Sequence, residues 1–174
     1  DFCHSVVTFE GEEPMHRLLS TLKAGDSLYT VPNLLHLDGR EVVQNKERVE
    51  LRFEELPNPV FDGLPMDKYL SPYPIIPVLQ SRGCYWGKCT FCTHSFVYGH
   101  RYGKQKTQAM VDELENLMKK YNTKYFTFSD EAVSPHSLND VSEEMIERGV
   151  EICSLALLKF EKVMGEELFG KMKK

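Results

Sequence analysis

The sequence predicts an α/β protein in which short apolar strands alternate with amphipathic helices around a parallel sheet. Three observations support this prediction. From residue 74 onward, apolar runs of strand length are each followed by a segment with helical periodicity. Gly149 stands where one of these helical patterns stops. The hydrophobic fraction of 41% in 174 residues is enough for a buried core. Strands joined through helices favour a parallel sheet, either open or part of a βα barrel.

The first 25 residues predict one strand and one helix. Residues 2–9 form a short β-rich run, and a helical pattern over residues 13–23 stops at Gly25. One apolar helix face carries Met15, Leu18, Leu19 and Leu22. Because one strand and one helix cannot bury both of their faces, we expect further strands of this sheet upstream. The chain begins at Asp1 and ends within a helix-like stretch, so we expect it to be an excerpt of a longer protein.

Residues 26–73 predict a connector that contains a β-hairpin. Two apolar runs, residues 34–37 and 41–43, flank the pair Asp38-Gly39, which is a strong signal for a two-residue hairpin. Prolines at positions 57, 59, 65, 72 and 74 follow, with little periodicity. This composition is typical of a segment that lies across a surface.

Residues 74–174 predict three βα units. The expected strands are residues 75–79, 125–128 and 150–157, and the expected helices begin near Thr107, at Ser137 with Asp140 as a capping box, and near Gly165. The carboxyl ends of parallel strands meet at one edge of a sheet, where functional residues gather. A cysteine-rich loop follows the first of these strands and Asp130-Glu131 follows the second.

Three of the five cysteines, Cys84, Cys89 and Cys92, fall within nine positions. Disulfide frameworks usually contain an even number of dispersed cysteines, so the crowding indicates a metal or cofactor in a reducing compartment. Three thiolates on a short loop can each bind one iron of a cubane cluster and leave the fourth iron open. Cys3 and Cys153 are distant in sequence and are expected to be small buried hydrophobic residues within strands.

The segment Cys84-Tyr85-Trp86-Gly87-Lys88-Cys89-Thr90-Phe91-Cys92 resembles the cluster-binding motif of the radical SAM superfamily, CxxxCxΦC. It departs in one respect, since four residues rather than three separate Cys84 from Cys89. The resemblance implies that the three cysteines bind a 4Fe-4S cluster and that Phe91 contacts the adenine of S-adenosylmethionine (SAM). It also implies that the open iron binds SAM, and that one electron cleaves SAM to a 5′-deoxyadenosyl radical.

Ser129, Asp130 and Glu131 resemble the short SAM-contacting motif of the second strand, in a form similar to that of cobalamin-dependent members. The resemblance implies that they bind the amino end of SAM. A solvated loop that caps the next helix is the alternative. Trp86 could shield the cluster or pack on the connector, and Lys159, after the third strand, could face the site.

Residues 5–19 resemble the last strand and helix of the cobalamin-binding domain that precedes many radical SAM cores, and residues 56–59 and 67–70 are similar to the connector of that subfamily. The resemblance implies three parts: residues 1–25 as the tail of a Rossmann-like cobalamin-binding domain, 26–73 as connector, and 74–174 as the N-terminal half of a radical SAM barrel. The cobalt-ligating histidine motif would lie upstream, so cobalamin is expected in the parent protein. Half a barrel should leave apolar faces uncovered.

The expected partners are a small-molecule or peptide substrate and an electron donor such as flavodoxin or ferredoxin. A net charge of −5 with interspersed signs argues against a nucleic-acid partner, and no apolar run approaches the ~20 residues that span a membrane. We therefore expect a cytoplasmic location. Two alternatives remain: a binding module stapled by zinc through the three cysteines and a ligand such as His94, and a simple electron carrier, which would normally need a fourth cysteine.

Overall fold

A computed structural model of the chain describes residues 3–49, 52–94 and 101–173. Among these, the chain divides into two compact units, one with residues 3–49 and Arg52 and the other with residues 53–94 and 101–173. The division falls within the segment predicted to be a connector, residues 26–73. The first residue of the predicted strand 2–9 lies outside the described residues.

The first unit contains a three-stranded antiparallel sheet of β1 (Ser5–Val7), β2 (Leu34–Asp38) and β3 (Glu41–Gln44), in that order. The predicted hairpin is confirmed: Asp38 pairs with Glu41, and Gly39 has a φ of 61° in the turn. β1 pairs with β2 with Val6 opposite Leu35, so the described partner of β1 follows it in the chain. The expectation that its partners lie upstream is not met among the described residues.

Helix α1 (Glu12–Ala24) of this unit ends at Gly25, whose φ of 72° makes it a left-handed C-cap, as predicted. Leu18 packs with Val31 and Leu34 in a small core. The other three residues of the predicted apolar face, Met15, Leu19 and Leu22, are exposed. One short sheet therefore covers only part of the helix.

The second unit is built on a parallel sheet with the order β4 (Ile75–Val78), β7 (Tyr125–Val133) and β8 (Cys153–Leu158). A separate antiparallel pair, β5 (Ser81–Arg82) and β6 (Gly103–Lys104), lies between β4 and β7 in sequence. The helices are α2 (Thr107–Tyr121), α3 (Pro135–Arg148) and α4 (Glu166–Met172). Each parallel strand is followed by a helix, which confirms the predicted α/β order.

One face of the parallel sheet carries the main core, which consists of Ile76, Val78, Met110, Val111, Leu114, Leu117, Phe126 and Val141. The four members from α2 follow the 3.6-residue period that predicted this helix. Burial of each large side chain contributes about 1.5–3 kcal/mol relative to exposure. Helices α2 and α3 are thereby held on the side of Ile76 and Phe126.

The opposite face of the same sheet is largely open. The strand register places Pro77, Thr127 and Leu155 side by side on it, and Leu155 is 69% exposed. This agrees with the prediction of an uncovered apolar face. Cys153 and Cys3 are both exposed, so the prediction that they are buried hydrophobic residues was wrong.

Two predicted boundaries in this unit were also wrong. α3 begins at Pro135, because the Ser134 side chain accepts a hydrogen bond from the Ser137 amide at 3.1 Å and forms the N-cap. Ser137 is thus inside the helix and is not its cap. β7 continues to Val133, so Ser129, Asp130 and Glu131 lie within the strand, at the register shift between Phe128 and Val133. In the described parts of the chain, no helix is long and apolar enough to cross a membrane.

Candidate functional site

The cysteine loop runs from β5 to β6, directly beyond the carboxyl end of β4, which is the predicted edge of the sheet. Cys84 and Cys92 are partly buried and Cys89 is exposed, and all three thiols are free. The Cys92 amide donates a hydrogen bond to the Cys89 carbonyl at 3.2 Å, so the Cys89–Cys92 half is a tight turn. We call residues 80–83 with 103–105 the loop base, and residues 86–91 the loop tip.

The three cysteines lie on one loop, but their side chains are not arranged together as a set of metal ligands. Among residues 3–49, 52–94 and 101–173, no three His, Cys, Asp or Glu side chains are placed to hold a metal ion. The chemistry of the donor set still fits an iron–sulfur cluster. Three free thiols lie on one short loop, and the other two cysteines, Cys3 and Cys153, belong to other strands or segments.

Gly83 is required at the loop base for two reasons. Its φ of 81° lies in the left-handed region, and a Cβ atom at this position would stand 2.1 Å from the Arg101 carbonyl oxygen. The two ends of the loop therefore approach more closely than any residue with a side chain allows. Gly87 also has a positive φ, 57°, but the nearest atom to its Cβ position is the Cys84 carbonyl oxygen at 3.6 Å.

Asp130 reaches from β7 to the loop base and is only 1% exposed. Its Oδ2 accepts a hydrogen bond from the Gln80 amide at 3.0 Å, and its Oδ1 accepts from the Ser81 amide at 2.6 Å and the Ser81 hydroxyl at 2.5 Å. Burial raises the pKa of the Asp130 carboxyl, against the opposing effect of these hydrogen bonds. Both carboxylate oxygens of Asp130 therefore accept hydrogen bonds from the segment that leads into Cys84.

Glu131, the next residue, has an oxygen without a hydrogen-bond partner among the described residues. Its Oε2 is buried and makes no hydrogen bond to any described residue, and its Oε1 lies 3.7 Å from Nδ1 of His94. His94 follows Cys92 by two residues, so Glu131 stands beside the cysteine loop. A buried carboxylate oxygen without a donor is costly, and a cationic N–H group would satisfy it.

The remaining predicted cofactor contacts differ in exposure. Phe91 is 87% exposed at the loop tip, and Ser129 is exposed on β7. The structure thus places Phe91 where its ring is available to another molecule, and it separates the three residues of the second motif. Asp130 is buried in the loop base, Ser129 is exposed, and Glu131 is partly buried.

The segment after β8 also contacts the cysteine loop. The Tyr85 hydroxyl donates a 2.6 Å hydrogen bond to Oε1 of Glu161, and Nζ of Lys159 lies 3.6 Å from the Trp86 ring centroid. Burial and this hydrogen bond raise the pKa of Tyr85, which therefore stays protonated and donates. Lys159 was expected as a residue that could face the site. Glu161 was not predicted, because no local pattern links it to Tyr85, which lies 76 positions away.

A second polar group under the loop base was missed as well. The Gln105 side chain donates from Nε2 to the Leu79 carbonyl and to Oε2 of Glu113, both at 3.1 Å. Glu113 is 2% exposed, and burial raises its pKa. The burial of Glu113 could have been predicted from its position in the sequence, because it falls on the same buried face of α2 as Met110 and Leu117.

No family model matches the chain, but a curated protein is similar to it. The chain is 30% identical over 152 residues to the uncharacterized methyltransferase PH0819 of Pyrococcus horikoshii. The alignment covers 85% of this chain and 33% of that protein. The chain thus spans about a third of the length of this relative.

Solved structures that resemble the chain include two enzymes. OxsB, a cobalamin-dependent S-adenosylmethionine radical enzyme solved with aqua-cobalamin, matches with a TM-score of 0.70 and 20% identity, over 96% of this chain and 25% of OxsB. TsrM, a radical S-adenosylmethionine methyltransferase from Kitasatospora setae solved with cobalamin and a 4Fe-4S cluster, matches with a TM-score of 0.66 and 17% identity, over 97% of this chain and 36% of TsrM. The chain therefore shares its fold with a part of these radical S-adenosylmethionine enzymes.

Proposed function

We propose that the chain is part of a radical SAM enzyme in which Cys84, Cys89 and Cys92 bind a 4Fe-4S cluster. One observation carries this proposal: three free thiols lie on a loop at the carboxyl edge of a parallel sheet, beside a buried carboxylate oxygen of Glu131 that has no described partner. When bound, the cluster would supply the electron that cleaves SAM to a 5′-deoxyadenosyl radical.

The chain's own residues would bind and orient SAM. The orphaned Oε2 of Glu131 is suited to accept a hydrogen bond from the SAM amino group, because it is a buried anionic acceptor without a described donor. The exposed Phe91 ring is available to pack on the adenine, and exposed Ser129 belongs to the same site. Asp130 contributes from within the protein, by holding the strand and loop that carry these groups.

The parent enzyme would use cobalamin and catalyse a methyl transfer or a related radical reaction. Support comes from relatives: OxsB and TsrM have structures with cobalamin, and PH0819 is called a methyltransferase. The substrate would be a small molecule or a peptide, and the electron donor a protein such as flavodoxin or ferredoxin, in the cytoplasm. The cobalamin, the substrate and the electron donor are proposed for a whole enzyme, because the chain covers only a part of each of these relatives.

Anaerobic reconstitution with iron and sulfide tests this proposal. We expect close to four irons and four sulfides per chain, and an EPR signal of the reduced cluster that shifts when SAM is added. One tightly bound zinc without sulfide would favour the zinc-stapled module. A cluster that ignores SAM would favour electron transfer alone, and no metal uptake would contradict the proposal.

A Glu131→Gln variant tests the role of Glu131 separately. The amide keeps the size of the side chain but removes its charge, so the SAM-dependent EPR shift should require a higher SAM concentration while the iron content stays the same. An unchanged concentration dependence would contradict the assignment of Glu131.

A further inference from the structure

The loop base is a closed structural unit that holds the cysteine loop at both ends. Ser81 pairs with Lys104 and Arg82 pairs with Gly103, which joins the start of the loop to its end. Beside this pair, the Gln105 amide donates a 2.9 Å hydrogen bond to the Gln80 carbonyl. The directions in which Cys84 and its neighbours leave the sheet therefore depend on how this base is fixed.

Asp130 fixes the base from the strand side. It lies 49 and 50 residues from Ser81 and Gln80 in sequence, and its two oxygens accept three hydrogen bonds from these residues. Hydrogen bonds to a charged group are stronger than neutral ones, and a buried carboxylate without them would be strongly destabilising. The arrangement is therefore specific for a side chain with two acceptor oxygens.

We propose that Asp130 is a positioning residue: it locks the base of the cysteine loop in one conformation and so sets the directions of the three cysteines, without touching the cofactor. Its neighbour Glu131 carries the carboxylate oxygen that has no described partner. The role of the cysteines as ligands rests on the proposed function, whereas the locking of the loop base by Asp130 does not.

Hydrogen exchange of the apo chain, followed by mass spectrometry, tests the locking role of an Asp130→Asn variant. The substitution keeps the shape of the side chain and replaces one acceptor oxygen with an NH₂ group that cannot accept. We expect the amides of residues 80–84 to exchange about 10- to 100-fold faster, because charge-assisted hydrogen bonds are lost. Exchange in α2 and α3 should stay unchanged.

The same variant, reconstituted with iron and sulfide, tests the positioning of the ligands. The cluster should be lost faster to a chelator, and the EPR signal of the reduced cluster, normalised to bound iron, should become broader than in the original chain. Glu131→Gln is the matched control: it should keep normal exchange at residues 80–84 and normal cluster retention, and change only the response to SAM.

Unchanged exchange at residues 80–84 in Asp130→Asn would overturn the proposal, as would normal cluster retention despite faster exchange. If the original chain bound no iron, the proposed function would fail, while the exchange experiment would still decide the role of Asp130. If circular dichroism showed that Asp130→Asn does not fold, Ser81→Ala replaces it, since it removes only the hydroxyl hydrogen bond. It should increase exchange at residues 80–82 less strongly, and no increase would overturn the proposal.

Discussion

At the base of the cysteine loop, Ser81 is fully buried, and its amide and hydroxyl, together with the Gln80 amide, donate hydrogen bonds to Asp130. At the tip, in contrast, Cys89 and Phe91 are exposed. The base is fixed by hydrogen bonds between segments distant in sequence. At the end of the tip, a local hydrogen bond joins the Cys92 amide to the Cys89 carbonyl. This difference indicates that the base and the tip have separate roles. The base sets the geometry of the cysteine loop, and the tip carries groups that are available to a ligand.

The comparison predicts that substitutions at the tip affect binding and leave the fold intact, while substitutions at the base affect both. In the base, a change disturbs buried hydrogen bonds or backbone packing. At the tip, an exposed side chain contributes little to the free energy of unfolding. Variants at the tip and at the base can therefore distinguish the loss of a ligand from a change in the conformation of the loop.

Cys89→Ala should have the largest effect on the cluster. It removes one of three proposed ligands, so cluster formation should be abolished, while the free energy of unfolding of the apo chain changes by less than about 0.5 kcal/mol because Cys89 is exposed. Iron and sulfide analysis and chemical denaturation measure the two quantities. Cys153→Ala, an exposed cysteine in β8, is the control and should retain the cluster. Equal loss in both variants would contradict the ligand assignment.

Gly83→Ala should have the next largest effect, and it should change both quantities. The left-handed conformation costs a non-glycine residue about 1–2 kcal/mol, and the overlap with the Arg101 carbonyl oxygen adds to this. We expect lower stability in denaturant and reduced cluster binding. Gly87→Ala is a matched control, because it has the positive φ without the overlap. Equal effects of the two substitutions would show that close approach at the loop base is unimportant.

Much of the second unit could be predicted from sequence because its signals are local. The apolar stripe of α2, the stop at Gly149 and the cysteine spacing each lie within one element or loop. The start of α3 was misplaced because Ser134 and Ser137 are both good N-cap residues, and Pro135 favours the earlier one.

Contacts between distant segments could not be predicted in this way. The pairing of β1 with β2 depends on which strands are available, and a single strand pattern does not specify its partner. The sequence likewise predicted that Asp130 lies near the cysteine loop but not that its side chain turns toward Gln80 and Ser81. Alternation along β7 buries Asp130, while Ser129 is exposed and Glu131 is partly buried, and that orientation is set by the register of the sheet.

The smallest predicted effect concerns Glu113, which supports the loop base through Gln105. Burial raises the pKa of Glu113 in the folded chain, so the folded state binds more protons than the unfolded state between the unfolded and folded pKa values. Stability should therefore fall as pH rises through this window. Glu113→Gln keeps an oxygen that accepts from Gln105 and removes the ionisation, so its stability should exceed that of the original chain above the window and match it below. Thermal unfolding at a series of pH values measures the difference between the two proteins. A difference independent of pH would show that Glu113 does not carry a buried charge, and the loop base would then rest on neutral hydrogen bonds and Asp130 alone.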